Sequence, residues 1–284
     1  MRPSGGSWGI ISVIEAGPVV QMRLIPIFLF LACTSLVEAQ GLPDWTGVWQ
    51  RVEGNGGMFD VSTTTPPDGF AGTPGARQHP PLTEAWEAKY QANLALVAAG
   101  RLADPISRCG TPAGFPRLLA LPDVYEFIVR PEQTWILTEN GPNIMRIYTD
   151  GRKHPPPGEI WPTFTGDSVG RWLGDTLEFT TIGMIGAEQT VLDRSGMVLS
   201  HEARIATRMY LTDDGLLRAE LTIEDRLALT EPWHVVRHFS RLPEGSRAYD
   251  YACAENNRNP ITDAGQTLTL DVEGKVIDKV IQHD

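Results

Sequence analysis

Short turn signals punctuate the later part of this chain, and runs with strand character flank most of them. Pro131-Glu132, Asn140-Gly141, Asp150-Gly151, Gly174-Asp175, Ser195-Gly196, Asp214-Gly215 and Glu273-Gly274 recur through it. Gly, Asn and Asp accept the positive φ that tight hairpin turns need. A chain built this way is mainly β. It predicts an antiparallel meander curled into a barrel, with a functional site inside it or at its mouth.

The strands are expected at 124–130, 133–138, 143–149, 169–173, 176–182, 200–210, 216–224, 233–241, 267–272 and 275–281. Leu217, Ala219, Leu221 and Ile223 alternate with Arg218, Glu220, Thr222 and Glu224, so that strand has one wet face. Gly47-Val48-Trp49 suits a first strand whose indole closes one barrel end. Residues 54–81 are rich in Gly, Pro and Thr and read as a loop. One helix is expected over about 83–99, capped by Thr83 and stopped by Gly100. Trp86, Tyr90, Leu94 and Val97 form its apolar stripe, which packs on the sheet or plugs an end.

The start of the chain reads as a targeting segment. Met22-Arg23 precedes the apolar run Leu24–Ala32, and Val37-Glu38-Ala39 places small residues at −3 and −1 before Gln40. This is the pattern of a secretory signal peptide over 1–39, with Met22 as the true start and cleavage after Ala39. The apolar run is too short to span a bilayer. Lipid anchoring through Cys33 is the alternative, but Phe30 fits a lipobox poorly. The product is then a single periplasmic or secreted domain over 40–284. Cleavage leaves Cys109 and Cys253, and two cysteines in an exported domain pair more often than not. Such a disulfide would close a long loop and contribute about 4 kcal/mol through chain entropy.

The formal net charge is −11. Arg2 and Arg23 balance Glu15 and Glu38, so removing 1–39 leaves it unchanged. An acidic chain without basic runs argues against nucleic acid and anionic membranes as partners. No Gly-rich phosphate loop, Gly-x-Ser-x-Gly, Cys-x-x-Cys or His-Glu-x-x-His occurs, so neither a cofactor nor a metal is expected. His234 and His238 would lie about 13 Å apart on a strand, too far for one metal.

Several polar groups are candidates for chemistry. Tyr148, Asp150, Arg152 and His154 share one segment and could hold an anionic or phenolic ligand and move a proton. The bland alternative is a turn made by Asp150-Gly151, with Arg152 paired to a carboxylate. Arg171 and Trp172 point to opposite faces of a strand, so one of them enters the barrel; both are candidate ligand contacts, with Arg204 and Glu255. Gly170 suggests close approach of another backbone. His201 is the candidate general base, because an imidazole titrates near neutral pH, and Asp193 is the residue to orient it. On a strand, Ser200 would face away from its neighbour His201, which counts against a triad.

Taken together, several segments resemble a large, mostly uncharacterised group of exported bacterial proteins. They are Thr46-Gly47-Val48-Trp49, Pro80-Pro81-Leu82-Thr83, Ala103-Asp104-Pro105 with Arg108-Cys109, and Gly114-Phe115-Pro116-Arg117. Residues 147–155, 168–177, 192–196, Pro232-Trp233 and 251–257 complete the set. The resemblance implies a calycin- or lipocalin-like β-barrel and no particular activity. Val191 stands where the pattern has Trp, and Leu199 and His201 stand where it has His and Glu.

Two functions fit. One is a cofactor-free acid–base lyase or isomerase acting on a small hydrophobic or aromatic molecule, with His201, Asp193, Tyr148, Asp150, Arg152 and His154 as its polar groups. The other is a non-catalytic periplasmic protein whose barrel holds such a ligand. The sequence carries no pattern that sets an oligomeric state.

Overall fold

Turn chemistry and period-two alternation build a closed barrel. The computed structural model describes residues 41–52, 79–101, 106, 113–121, 123–139, 144–186, 191–249, 270–271 and 273–276. Among these, nine strands follow one another around the barrel in chain order. They are β1 (Val48–Arg51), β2 (Val124–Val129), β3 (Gln133–Thr138), β4 (Ile144–Tyr148), β5 (Asp167–Leu173), β6 (Thr176–Ile182), β7 (Arg204–Leu211), β8 (Leu217–Glu224) and β9 (Trp233–Arg241). β9 pairs with β1, Trp49 opposite Arg241, and closes the ring. A helix, α1 (Glu84–Ala98), lies between β1 and β2 in sequence.

One junction departs from a meander. β4 and β5 pair in parallel, with Ile147 opposite Ser168 and Tyr148 opposite Val169. A parallel pair needs a crossover of a dozen or more residues, and 149–166 supplies it. Asp150-Gly151 therefore opens this crossover and makes no hairpin. Ser195-Gly196 likewise sits in the connection between β6 and β7. Pro131-Glu132, Gly174-Asp175 and Asp214-Gly215 do join adjacent antiparallel strands. Asn140-Gly141 lies outside the described residues, and Glu273-Gly274 turns an isolated Leu270–Val276 bridge. The strand expected from 200 begins only at Arg204, because residues 200–202 form a turn held by Asp225.

The inward faces are continuous and apolar. Leu217, Ala219, Leu221 and Ile223 point in from β8, as their alternation predicts, and Trp233, Val235 and Phe239 do so from β9. Trp49 enters from β1 and donates its indole N–H to the Trp45 carbonyl at 2.9 Å. Trp45 in turn meets Trp172 at 5.2 Å and Phe127 at 6.1 Å between ring centroids, so aromatic rings fill this part of the barrel. Trp172 is thus the inward member of the Arg171–Trp172 pair. Gly170 lies against β6, where a Cβ would sit 2.2 Å from the Glu178 carbonyl oxygen; the expected close approach is real.

The expected open interior is not found among the described residues. Trp49, Tyr125, Ile136, Met145, Ile205 and Phe239 each have 0% exposed surface, which leaves no wetted void beside them. Arg152 and His201, both candidates for the site's chemistry, are exposed on connections outside the barrel. The polar side chains buried on inward faces are instead Thr134, Ser168, Thr181, Thr207 and Arg237.

α1 forms where the spacing of its apolar residues predicts, and Tyr90 is its buried anchor. Thr83 precedes it as the N-cap residue, but its hydroxyl donates to the Leu227 carbonyl at 2.8 Å and caps no helix amide. The helix start is tied instead to the turn after β8, since Thr83 N–H donates to Ala228 O at 2.8 Å. Cys109, Cys253, Cys33, Glu255, the segment 1–39 and most of the 54–81 loop lie outside the described residues.

Candidate functional site

The sequence places most of its unusual polar residues on connections, and the fold gathers them into separate places. Trp86 and Lys89 lie one turn apart on α1 and face a groove of about 680 Å³. Its other walls are Trp161 and Pro162 from the crossover, Met184, Ile185 and Gly186 after β6, Ser200 and His201 before β7, and Leu227 after β8. This volume lies within the 300–1,000 Å³ range usual for small-molecule sites.

Backbone bonds make the walls firm. Thr163 N–H donates to Gly183 O at 3.1 Å, and Ile185 N–H donates to Thr163 O at 2.9 Å, so the crossover is stitched to the segment after β6. Gly183 adopts φ +68°, and a Cβ there would meet Ile160 Cγ2 at 2.4 Å, so only glycine allows this contact. Gly186 similarly lets the His201 backbone pass, since a Cβ would stand 2.8 Å from His201 N. At the floor, the buried Asp225 carboxylate accepts Ser200 N–H at 2.6 Å, Ser200 Oγ–H at 2.7 Å, Leu227 N–H at 3.1 Å and Ala228 N–H at 3.0 Å. One carboxylate thereby joins two walls of the groove.

His201 lines this groove, but Asp193 does not orient it. Asp193 is buried and its Oδ1 accepts Ser195 N–H at 3.0 Å, Ser195 Oγ–H at 2.5 Å and Met197 N–H at 3.5 Å. Ser195 Oγ also bonds Tyr90 Oη at 2.6 Å, and Asn93 Nδ2 donates to Gly196 O at 2.6 Å. The 192–196 segment is therefore the dock for α1. Burial pushes the Asp193 carboxyl up to about 6, against the Ser195 bond and the nearby Arg117 guanidinium, which pull it down. The expected Asp193–His201 pairing fails because Asp193 is committed to the loop that holds the helix. Ser200 and His201 form part of a turn, so the strand argument about their faces does not apply.

His154 has a carboxylate partner. Its Nδ1 lies 2.5 Å from Asp167 Oδ1, at the start of β5. Its Nε2 is buried and has no hydrogen-bond partner among the described residues. Such a pairing favours the tautomer with the proton on Nδ1 and leaves Nε2 as the basic nitrogen. Asp150 and Arg152, nearby in sequence, are turned on each other. Arg152 Nε and Nη2 donate to the Asp150 carboxylate at 2.9 and 2.6 Å, and the guanidinium stacks 3.8 Å from the Tyr148 ring centre. That hydrogen bonding holds Asp150 below its ordinary range. This is the turn-forming reading of the segment. Neither His154 nor Asp167 lines the groove.

Arg171 is exposed on the outer barrel face and pairs with Glu178 at 3.4 Å, beside a second cavity of about 510 Å³. Charges there are mutually spent: Arg208 bridges Glu178 and Glu220 at 3.2 Å each, and Arg218 also reaches Glu220 at 2.9 Å. Arg204 is exposed opposite Glu224 on β8 and lines neither cavity. Trp172 belongs to the core. His234 and His238 face outward on β9 toward Thr222 and Arg218. Residues missed from sequence are Asp167, Lys89, Trp161 and the inward Arg237. The signal for Arg237 was present, since it shares a face with Trp233, Val235 and Phe239.

Fold and site together define a closed barrel with an aromatic groove at its flank, between α1 and the crossover. Among known proteins, no family model matches the chain, and no curated protein matches it.

Proposed function

We propose that this protein is an exported β-barrel that binds a small, largely apolar aromatic molecule in the groove beside α1 without turning it over. The observation that carries this reading is the groove's composition. Trp86, Trp161, Pro162, Met184, Ile185 and Leu227 supply apolar contact, and few polar groups interrupt them. Asp193, expected to orient the His201 imidazole that lines it, is committed to the α1 dock instead, and this favours binding over a mechanism with His201 as base. Export is supported by the signal-peptide pattern of residues 22–39. The expected mature protein begins at Gln40 in a periplasmic fraction and shows no free thiol at Cys109 and Cys253 on alkylation without reductant.

The test is a calorimetric titration with naphthalene derivatives on the purified protein and on Trp161→Ala. Saturable binding that weakens at least tenfold in the variant is expected. Equal affinity in both proteins would place the ligand elsewhere.

A second reading is favoured by the His154–Asp167 pair, whose other ring nitrogen, Nε2, has no hydrogen-bond partner among the described residues. It makes the protein a cofactor-free acid–base lyase or isomerase with His154 as base and Asp167 fixing its tautomer. Turnover of an aromatic substrate that falls by roughly 10²–10⁴-fold in His154→Ala would support it. Undiminished turnover in that variant would dismiss it.

A further inference from the structure

Resting on the groove reading above, we infer that the ligand is a planar aromatic anion, an aryl carboxylate or its chemical equivalent. The groove's charge differs from that of the chain around it. The chain carries 35 acidic and 24 basic residues, yet among the described residues the groove lining contains Lys89 and His201 and no carboxylate. Lys89 Nζ sits 3.6 Å from the centre of the Trp86 ring, which holds the ammonium at the wall by cation–π attraction. Lys89 makes no ion pair among the described residues.

Three carboxylates near these walls make contacts other than with Lys89. Glu202, next to His201, is forked by Arg226, which holds it below its ordinary range. Asp225 is buried beneath Ser200 and Leu227 and filled by N–H and O–H donors. Glu87, two residues before Lys89, accepts from Gln91 at 2.7 Å. The Lys89 charge therefore stays available to a ligand.

Ring recognition falls to Trp161. Its side chain is 84% exposed, a large apolar surface left in water on a segment whose neighbours are stitched down. Lys89 occupies a face of Trp86, so Trp161 offers the open ring. A flat aromatic ligand stacked there, with its anionic group turned to Lys89, satisfies both features at once. His201 adds a donor from another wall.

The experiment is calorimetric titration of the full mature protein with naphthoate, naphthylmethanol and naphthylmethylamine. It is repeated in Lys89→Met, which keeps an unbranched stem over Trp86 and removes the charge. Naphthoate should bind about fivefold more tightly than the alcohol, the gain expected of one exposed ion pair. The amine should bind weakest, and in Lys89→Met the ratio of acid to alcohol affinity should fall to about one. Equal affinities for acid and alcohol in the wild type, or a preference that survives Lys89→Met, would overturn the anion inference and leave the groove reading standing. Failure of all three probes to bind the wild type would overturn both.

Discussion

Asp193 shows how one residue's environment replaces the role its type suggests. Its folded-state carboxyl titrates at about 6, against an ordinary value of 3.8, because burial disfavours the charge. The stability it contributes is fully present below about 4 and is lost as pH rises through about 6. A shift of that size corresponds to roughly 3 kcal/mol. All three donors reach Oδ1, so the amide oxygen of Asn can replace it. We expect Asp193→Asn to keep α1 docked and to flatten the pH dependence of stability between 4 and 6. Urea unfolding across that range checks this, and an unchanged slope would assign the pH dependence to other groups. His154 and Asp167 show the opposite case, a pairing invisible in sequence because the partners meet only when the crossover folds back onto β5. Tyr148, Asp150 and Arg152 were legible as a cluster, but their use is local: Arg152 is absorbed by its own turn and a neighbouring ring.

At the scale of elements, close approaches decide more than propensity. Gly170→Ala places a methyl against the Glu178 carbonyl and the Phe179 side chain, so β5 and β6 must part. The expected cost is about 1–3 kcal/mol, read as a lower urea midpoint. Tyr90→Phe removes the bond to Ser195 Oγ and should cost about 1 kcal/mol. It should also loosen α1, which faster amide exchange along the helix would report. An unaltered exchange rate would mean that Asn93 and the apolar stripe hold the helix alone. Most strands were legible because period-two alternation and Gly-containing turns are local signals. The parallel β4–β5 pairing was not, since Asp150-Gly151 carries the same turn chemistry whether the chain returns as a hairpin or opens a crossover. The start of β7 was misplaced for a similar reason: Ser200 and His201 suit a strand until Asp225, distant in sequence, claims Ser200 for a turn.

The whole molecule separates its two hydrophobic surfaces. Inside, the barrel is filled by its own side chains, with Trp45, Trp49 and Trp233 at 1, 0 and 1% exposure. Outside, Trp161 stands 84% exposed beside the groove. The sequence made an apolar lining legible, but not whether that lining would meet itself or a ligand. That depends on how Leu118, Leu119 and Phe115, from the segment before β2, pack into the same core. The separation has an optical consequence. Acrylamide should quench the mature protein's tryptophan emission most strongly through Trp161, because a quencher must touch the ring: Trp45, Trp49 and Trp233 offer almost no surface, and Trp86, Trp135 and Trp172 are half-buried. Trp161→Phe should then lose the most readily quenched component while its urea midpoint stays within error, since an exposed ring contributes little packing. Saturating naphthoate should shield the wild type from acrylamide more than it shields the variant. If Trp161→Phe is quenched as strongly as the wild type, Trp161 is not the accessible ring in solution, and the stacking role given to it in the groove falls.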